Sequence, residues 1–393
     1  MDPVIETPAR ERLLSLDIFR GLAVIGMMLV DWPGNWDARY AIFEHSSWLG
    51  VTAADFIFPA FMFIMGVSIP FSLQAKGEAE LKPARLYGRI LRRAVVLFLL
   101  GYFLNLCWNA SPKVFPIDWA HARLLGVLQR FAFVYPIVAI ACLHLPVRKL
   151  VYLGIGILLA YWALMTLVPV PGFGAPDLAR LPQGNVAPNL ATWMDKTFLG
   201  AKCDLSSYPY DAEGILSTLP AIVTSLIGAI TGYWLRQREI PLSERVNRIF
   251  AWGVLLTVLG YLWGLGFPLS KKLWTSSFVL FMGGWSLLFL GALLWAIELK
   301  GKTGRLLAVP RWYGANALAG IVIFTFLDNV MSRLPVGLKA DRTAYVLKEF
   351  LNDHLFRSFL SERNASWAYS VGAILALSLL FRWFNARKWF FRV

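Results

Sequence analysis

The sequence predicts an all-α fold, a polytopic integral membrane bundle of about ten transmembrane helices, or about eleven if one further segment also crosses. Three observations predict it. Of 393 residues, 58% are hydrophobic and 16% charged, with a mean hydropathy of +0.57; a soluble chain of that length needs more polar surface. The apolar residues fall in blocks of about 20, the length a helix rising 1.5 Å per residue needs to cross the hydrocarbon core. Basic residues crowd into alternate connections between the blocks.

In order, the predicted spans are 14–32, 52–74, 94–107, 124–145, 150–168, 214–235, 249–266, 275–298, 312–328 and 366–381. The first follows a short polar head, lacks a small-residue cleavage site and carries charges, so it reads as a retained helix and not a cleaved signal. The third is short unless the apolar residues between Arg89 and Arg93 extend it, and the ninth contains Asn316 and two glycines. Segment 343–360 has helical apolar spacing but carries Lys348, Glu349, Asp353, His354 and Arg357. It is expected to lie on the surface as an amphipathic helix. Most connections are short, so neighbours should pack antiparallel. Two outer loops are long, 169–213 and 329–365; the first is rich in Pro and Gly without strand or heptad pattern. Loops of that length usually act as lids or binding segments. No internal repeat points to a two-fold transporter architecture, and 1–393 reads as a single transmembrane domain.

The net charge of +14 resembles a nucleic-acid signal until it is distributed. More than half of the 38 Lys and Arg lie on the side of the N-terminus, in KGEAELKPARLYGRILRR, RQREIPLSERVNR, LKGKTGRLLAVPR and the tail RWFNARKWFFRV. This positive-inside bias puts both termini in the cytoplasm, and no nucleic-acid partner is needed. The cysteines Cys107, Cys142 and Cys203 make no metal pattern. Cys107 and Cys203 both fall outside, so a bridge is one reading and free or buried thiols the other. His45, His121, His144 and His354 show no metal-ligand spacing, so no metal is expected.

Polar groups at membrane depth mark a pathway or site, or pair to hold the bundle together. Asp17 and Arg20, three apart on one face, can pair. Asp31 ends the same helix about 21 Å further on. Arg123, Gln129 and Arg130 line the fourth span, and Asn316 sits in the ninth.

The stretch densest in chemistry is DWPGNWDARYAIFEHSSWLGVTAADFIFPAFMFIMG, an outer loop with His45 at its centre. An imidazole titrates near working pH and suits a general base; a solvated loop histidine is the plain alternative. Asp31 and Asp55, at the ends of the flanking helices, can orient it. Thr52-x-x-Asp55 also reads as a capping box, which would occupy Asp55 otherwise. Asp211 and Glu213 open the sixth helix, either as partners of its dipole or as ligands for an ammonium or sugar hydroxyls. Trp36, Trp48 and Trp193 can stack on a sugar or belong to the interfacial belt.

RLLSLDIFRGLAVIGMMLVD followed by HSSWLGVTAADFIFPAFMFIMGVSIPFSL resembles the heparan-alpha-glucosaminide N-acetyltransferase family of transmembrane acyltransferases. The likeness continues through LRRAVVLFLLGYFLN, RLLGVLQRFAFVY, YDAEGILSTLPAIVTSLIGAITGYWL, KKLWTSSFVLFMGG and YGANAL, with His-x-x-Trp-x-Gly-x-Thr-x-x-Asp as its most specific pattern. The resemblance implies acetyl transfer from acetyl-CoA, the co-substrate, to the amine of a terminal glucosamine across a membrane. It implies a catalytic role for His45, as general base or, in a ping-pong route, as transient acetyl carrier. The family's asparagine at the end of the first helix falls at Asp31, and an ionised carboxylate cannot donate to a thioester oxygen as an amide can. Asp31 would then position the acceptor ammonium or His45.

The likeness is to compact bacterial members without the large lumenal domain of the lysosomal enzyme, so an inner-membrane location is expected and heparan is not the expected substrate. Under this reading Asp55, Asp211, Glu213, Trp48 and Asn316 are candidates to hold the amino-sugar acceptor. Arg20, Arg93, Arg130 and Arg123 are candidates for the donor's phosphates, with positive-inside anchoring as the alternative. Two rivals stay open: an amino-sugar permease without covalent chemistry, and an acyltransferase acting on a cell-envelope glycan. Whether the chain forms a homo-oligomer is not written in the sequence.

Overall fold

The fold comes from a computed structural model that describes residues 13–73, 83–109, 122–178, 189–203, 211–338 and 343–391. Thirteen α-helices run in the order α1 (Leu14–Asp31), α2 (Ile57–Leu73), α3 (Pro83–Asn109), α4 (Val127–His144), α5 (Val147–Leu167), α6 (Leu190–Leu199), α7 (Thr218–Arg236), α8 (Leu242–Gly264), α9 (Ser276–Leu293), α10 (Ala308–Ala315), α11 (Ala317–Met331), α12 (Leu347–Leu351) and α13 (Glu362–Ala386). Two short strands, β1 (Pro335–Leu338) and β2 (Ala344–Val346), pair antiparallel ahead of α12.

Among the described residues, eight helices are long and apolar enough to cross a membrane, and α10 with α11 make one further, bent crossing. α1, whose 18 residues carry Asp17, Arg20 and Asp31, falls outside that set, so eight or nine of the ten expected spans meet the requirement. Short connections force antiparallel neighbours, so the bundle has two ends. One gathers the start of α1 and the end of α13; the other gathers the loop after α1, α6 and the α8–α9 turn.

Packing follows small residues, as lipid offers apolar side chains no incentive to leave it. A Cβ on Gly66 of α2 would lie 2.0 Å from the Ser225 carbonyl oxygen, and one on Gly228 of α7 would lie 2.0 Å from that of Phe63. The two backbones touch. Gly21 and Gly314 bring α1 against α10 in the same way, each within 1.7 Å of a carbonyl oxygen if given a Cβ. α2, α7 and α9 are the most enclosed helices, whereas α3, α5 and α8 turn most of their surface outward.

Several boundaries differ from the expectation. α3 begins eleven residues before the predicted 94, at Pro83; proline suits a first helical turn, and long arginine stems carry their charge clear of the apolar zone. The ninth span is broken by 83° at Asn316, where the tight α1–α10 contact fixes the first half. The 343–360 segment is only partly helical: its start pairs as β2, and α12 passes into a wide π turn over Asn352–Arg357. The 169–213 loop contains a helix, α6, capped by Asn189 accepting from the Thr192 amide at 3.0 Å. Asp211 and Glu213 precede α7 and do not sit in its first turn, and Arg123 precedes α4. Cys107 is a free thiol, so it makes no bridge to Cys203.

Candidate active site

His45 sits where three segments meet. Its Nδ1 lies 2.9 Å from Asp55 Oδ1, and its Nε2 lies 3.7 Å from Asp31 Oδ1 at the end of α1. The two readings of Asp55 are both satisfied, because a carboxylate has two oxygens. Oδ2 accepts from the Ser46 amide (3.1 Å) and the Thr52 amide (3.0 Å), completing the capping box, while Oδ1 faces the imidazole. An acceptor-only partner keeps the proton on Nδ1 and leaves Nε2 as the basic nitrogen.

The third segment is the α8–α9 turn, which brings Lys271. Its Nζ stands 3.0 Å from His45 Nδ1, 3.3 Å from Nε2 and 3.5 Å from Asp55 Oδ1. The two loops are zipped together: the Gly50 amide donates to the Leu269 carbonyl at 2.7 Å, and Ser270 Oγ donates to the Trp48 carbonyl at 2.8 Å. Gly50 takes φ +87°, a conformation that favours glycine. Burial works against charge on His45, but the hydrogen bonds of Asp31 and Asp55 outweigh it and the opposing charge of Lys271, so its pKa lies above 6.5. Burial pulls the Lys271 pKa down, with Asp55 and Asp31 holding it partly up.

A second cluster lies beside the first. Arg123 pairs with Asp211 (2.6 Å) and with Glu213. Asp195 of α6 accepts from the Ile215 amide at 2.8 Å, tying the loop helix to the entry of α7. Burial, with the nearby Asp211 charge adding to it, raises the Asp195 pKa to about 7. Arg130 is buried with its guanidinium 5.0 Å from the Trp274 ring centre and 5.9 Å from that of Phe58. Its Nη2 donates to Ser217 Oγ, while Nε and Nη1 have no hydrogen-bond partner among the described residues.

The remaining candidates are dispersed. Arg20 donates to Asp17 (3.1 Å) and Ser68 (3.1 Å), and Arg93 stacks on Tyr135 at 4.8 Å. Asn316 lies at the end holding the termini, its side chain bonded to Trp389 O (3.1 Å) and the Phe391 amide (2.9 Å). Trp48 is 1% exposed and packs with Tyr161, Met165 and Phe267, so its ring builds the cap of the bundle and presents no face to a sugar. Trp36 is 42% exposed, beneath Arg39 and Lys348. Sequence reasoning missed Lys271 and Asp195. For Lys271 a signal existed: adjacent lysines in a short outer turn run against the positive-inside bias.

An apolar cavity of about 210 Å³ runs between α1 and α2, walled by Phe19, Gly26, Val30, Phe43, Ala54 and Phe289. From Phe19, next to Arg20, to Val30, next to Asp31, is a rise of about 16 Å. The cavity therefore extends from the level of one charged end toward the His45 loop.

A family model described as "Heparan-alpha-glucosaminide N-acetyltransferase, catalytic" matches residues 12–260. The stretch includes His45, Asp31, Asp55 and both acidic residues before α7, and stops short of Lys271. The human heparan-alpha-glucosaminide N-acetyltransferase is 30% identical over 368 residues, covering 81% of this chain and 53% of its own. The mouse protein of that name is 29% identical over 377 residues, covering 83% and 55%. The chain thus spans about half the length of the curated relatives it matches. The family model covers more than half of the chain, the His45 loop included, and the chain belongs to the heparan-alpha-glucosaminide N-acetyltransferase catalytic family.

Proposed function

We propose that the protein is a membrane-embedded acetyltransferase. It moves an acetyl group from acetyl-CoA to the amine of glucosamine, or of a terminal glucosamine residue, with His45 as general base. The observation that carries this reading is the arrangement around His45: a carboxylate on Nδ1, and a basic Nε2 facing a second carboxylate. Asp31, 39% exposed at its side chain, holds the incoming ammonium electrostatically. The ammonium first gives one proton to solvent; His45 takes a second from the neutral amine as it attacks the thioester carbonyl, and returns it to the departing thiolate. Both termini are cytoplasmic in this reading and His45 faces the other side of an inner membrane. The thioester arm reaches it along the cavity between α1 and α2, with Arg20 at the entrance as a candidate for a phosphate. The chain acts as one transmembrane domain.

The test is transfer by purified protein with radiolabelled acetyl-CoA and glucosamine. Acetylated sugar from the wild type, reduced by a factor of about 10³ in His45→Ala, is the expected result. An active His45→Ala variant would remove the base from the mechanism. Sugar uptake into proteoliposomes without any acetylated product would favour a permease instead.

A further inference from the structure

We propose that Lys271 is a second catalytic residue of this site: its ammonium binds the carbonyl oxygen of the acetyl thioester and the negative charge that gathers there during transfer. The proposal rests on the acetyl-transfer reading above and adds the group that reading lacks. Charge develops on two atoms in such a reaction. His45 serves the nitrogen; something must serve the oxygen, and hydrogen-bond donors aimed at it are typically a large part of the rate enhancement.

The charged groups facing His45 are Asp31 from α1, Asp55 from the entry to α2, and Lys271 from the α8–α9 turn. Ionised carboxylates have no proton to give, which leaves Lys271. Its position fits donation better than neutralisation. Asp55 Oδ2 is engaged by Ser46 and Thr52, and Oδ1 by His45. Lys271 stands further from Asp55 Oδ1, at 3.5 Å, than from either ring nitrogen, at 3.0 and 3.3 Å. Because the ammonium lies 3.3 Å from Nε2, a thioester whose attacking amine gives its proton to that nitrogen can place its carbonyl oxygen within hydrogen-bond reach of Lys271.

The turn that carries Lys271 is held at some cost. Trp274 closes it, donating to the Lys271 carbonyl at 3.2 Å with φ +52°. A bulky residue in that left-handed region is strained. The Trp274 ring is fully buried, donates to Thr224 Oγ1 at 3.1 Å and lies against Phe58 and Arg130. The strained residue fixes the turn three positions from the ammonium.

The step balances. The amine nitrogen bonds to the carbonyl carbon, and the carbon–oxygen π pair moves onto the oxygen beside Lys271. The proton lost by nitrogen passes to His45 Nε2. The oxygen's pair then re-forms the double bond, the carbon–sulfur bond breaks, and the departing thiolate takes the proton from His45. Lys271 keeps its own protons throughout. It also acts on the base, since its positive charge opposes protonation of His45; Lys272 and Glu213 in turn face Lys271.

The experiment compares wild type with Lys271→Met and Lys271→Arg, using acetyl-CoA and glucosamine, with kcat and KM separated across pH. For Lys271→Met, kcat should fall by a factor of about 10² to 10³ with donor KM within about threefold. Its rising pH limb should move to higher pH, because neutral His45 is the active form and its pKa rises once the charge is gone. Lys271→Arg should recover about tenfold and return the limb toward its wild-type position. A Lys271→Met enzyme with wild-type kcat and limb would overturn the proposal while leaving His45 in place. If Lys271→Met is not recovered monodisperse, Lys271→Arg decides: a kcat below wild type with the limb kept supports the proposal, and an unchanged kcat overturns it. An inactive wild type overturns the acetyl-transfer reading and this proposal together.

Discussion

The His45 cluster and the Arg123 cluster lie at the same end of the bundle and are built from the same residue types, yet their bonding differs. Around Arg123, two carboxylates are spent on one guanidinium, with Asp211 side chain fully buried and Glu213 nearly so. Around His45 the groups are left incompletely matched: Asp31 is 39% exposed and 3.7 Å from its partner, and an ammonium stands against the imidazole that a carboxylate also claims. A guanidinium clamped between two buried carboxylates is a fastening. A mismatched set open to solution keeps protons and charge available for a substrate, which is what chemistry needs.

The largest effect that would sharpen this contrast is expected from Asp55→Asn. The amide can still cap the loop but no longer fixes the His45 tautomer, so kcat should fall by about 10³. Asp55 helps to hold the His45 pKa above 6.5, so the rising limb of the rate should move to lower pH, opposite to the Lys271→Met shift. A limb that does not move would detach Asp55 from the base. Arg123→Met should act on stability: stranding two carboxylates costs about 3 kcal/mol, read as a lower apparent melting temperature in detergent. A variant that melts like wild type but has lost turnover would break the comparison.

The smallest effect concerns Asp195. Its pKa is raised to about 7 in the folded protein, against about 3.9 unfolded. The folded state therefore holds its proton more tightly, so its contribution to stability is full below about pH 4 and is lost as pH rises through about 7. Asp195→Asn should gain a few degrees in melting temperature at pH 8 and almost nothing at pH 5. An equal change at both values would mean that the carboxyl stays ionised, and that α6 is held by charge instead of by a neutral hydrogen bond.

Much of this was legible in the chain. The apolar blocks, most of the expected spans and the pairing of Asp17 with Arg20 follow from length, hydropathy and helical spacing, all local properties. So does the convergence of His45, Asp31 and Asp55, because they flank a single loop. Legibility faded with sequence distance. The Asp55 alternatives, capping or orienting, were coupled through one carboxylate and could not be separated by spacing. Trp48 was open to two readings, sugar stacking or the interfacial belt, and α5, α6 and the α8–α9 turn close over it. Asn316 shared a polar, membrane-depth description with Arg123 and Arg130, but sits at the other end of the bundle, tied to the tail.

The sequence by itself determined that this is a membrane bundle, which segments cross, and which loop carries an imidazole between two carboxylates. Those facts depend on transfer free energies and helical periods that each segment expresses alone. Only the tertiary structure decided that Lys271, 226 positions from His45, stands against the imidazole, that Arg123 pairs with both acids before α7, and that the ninth span breaks at Asn316. Each depends on how backbones meet, at Gly50 with Leu269 or Gly21 with Pro310, and such contacts leave no period in a single chain to read.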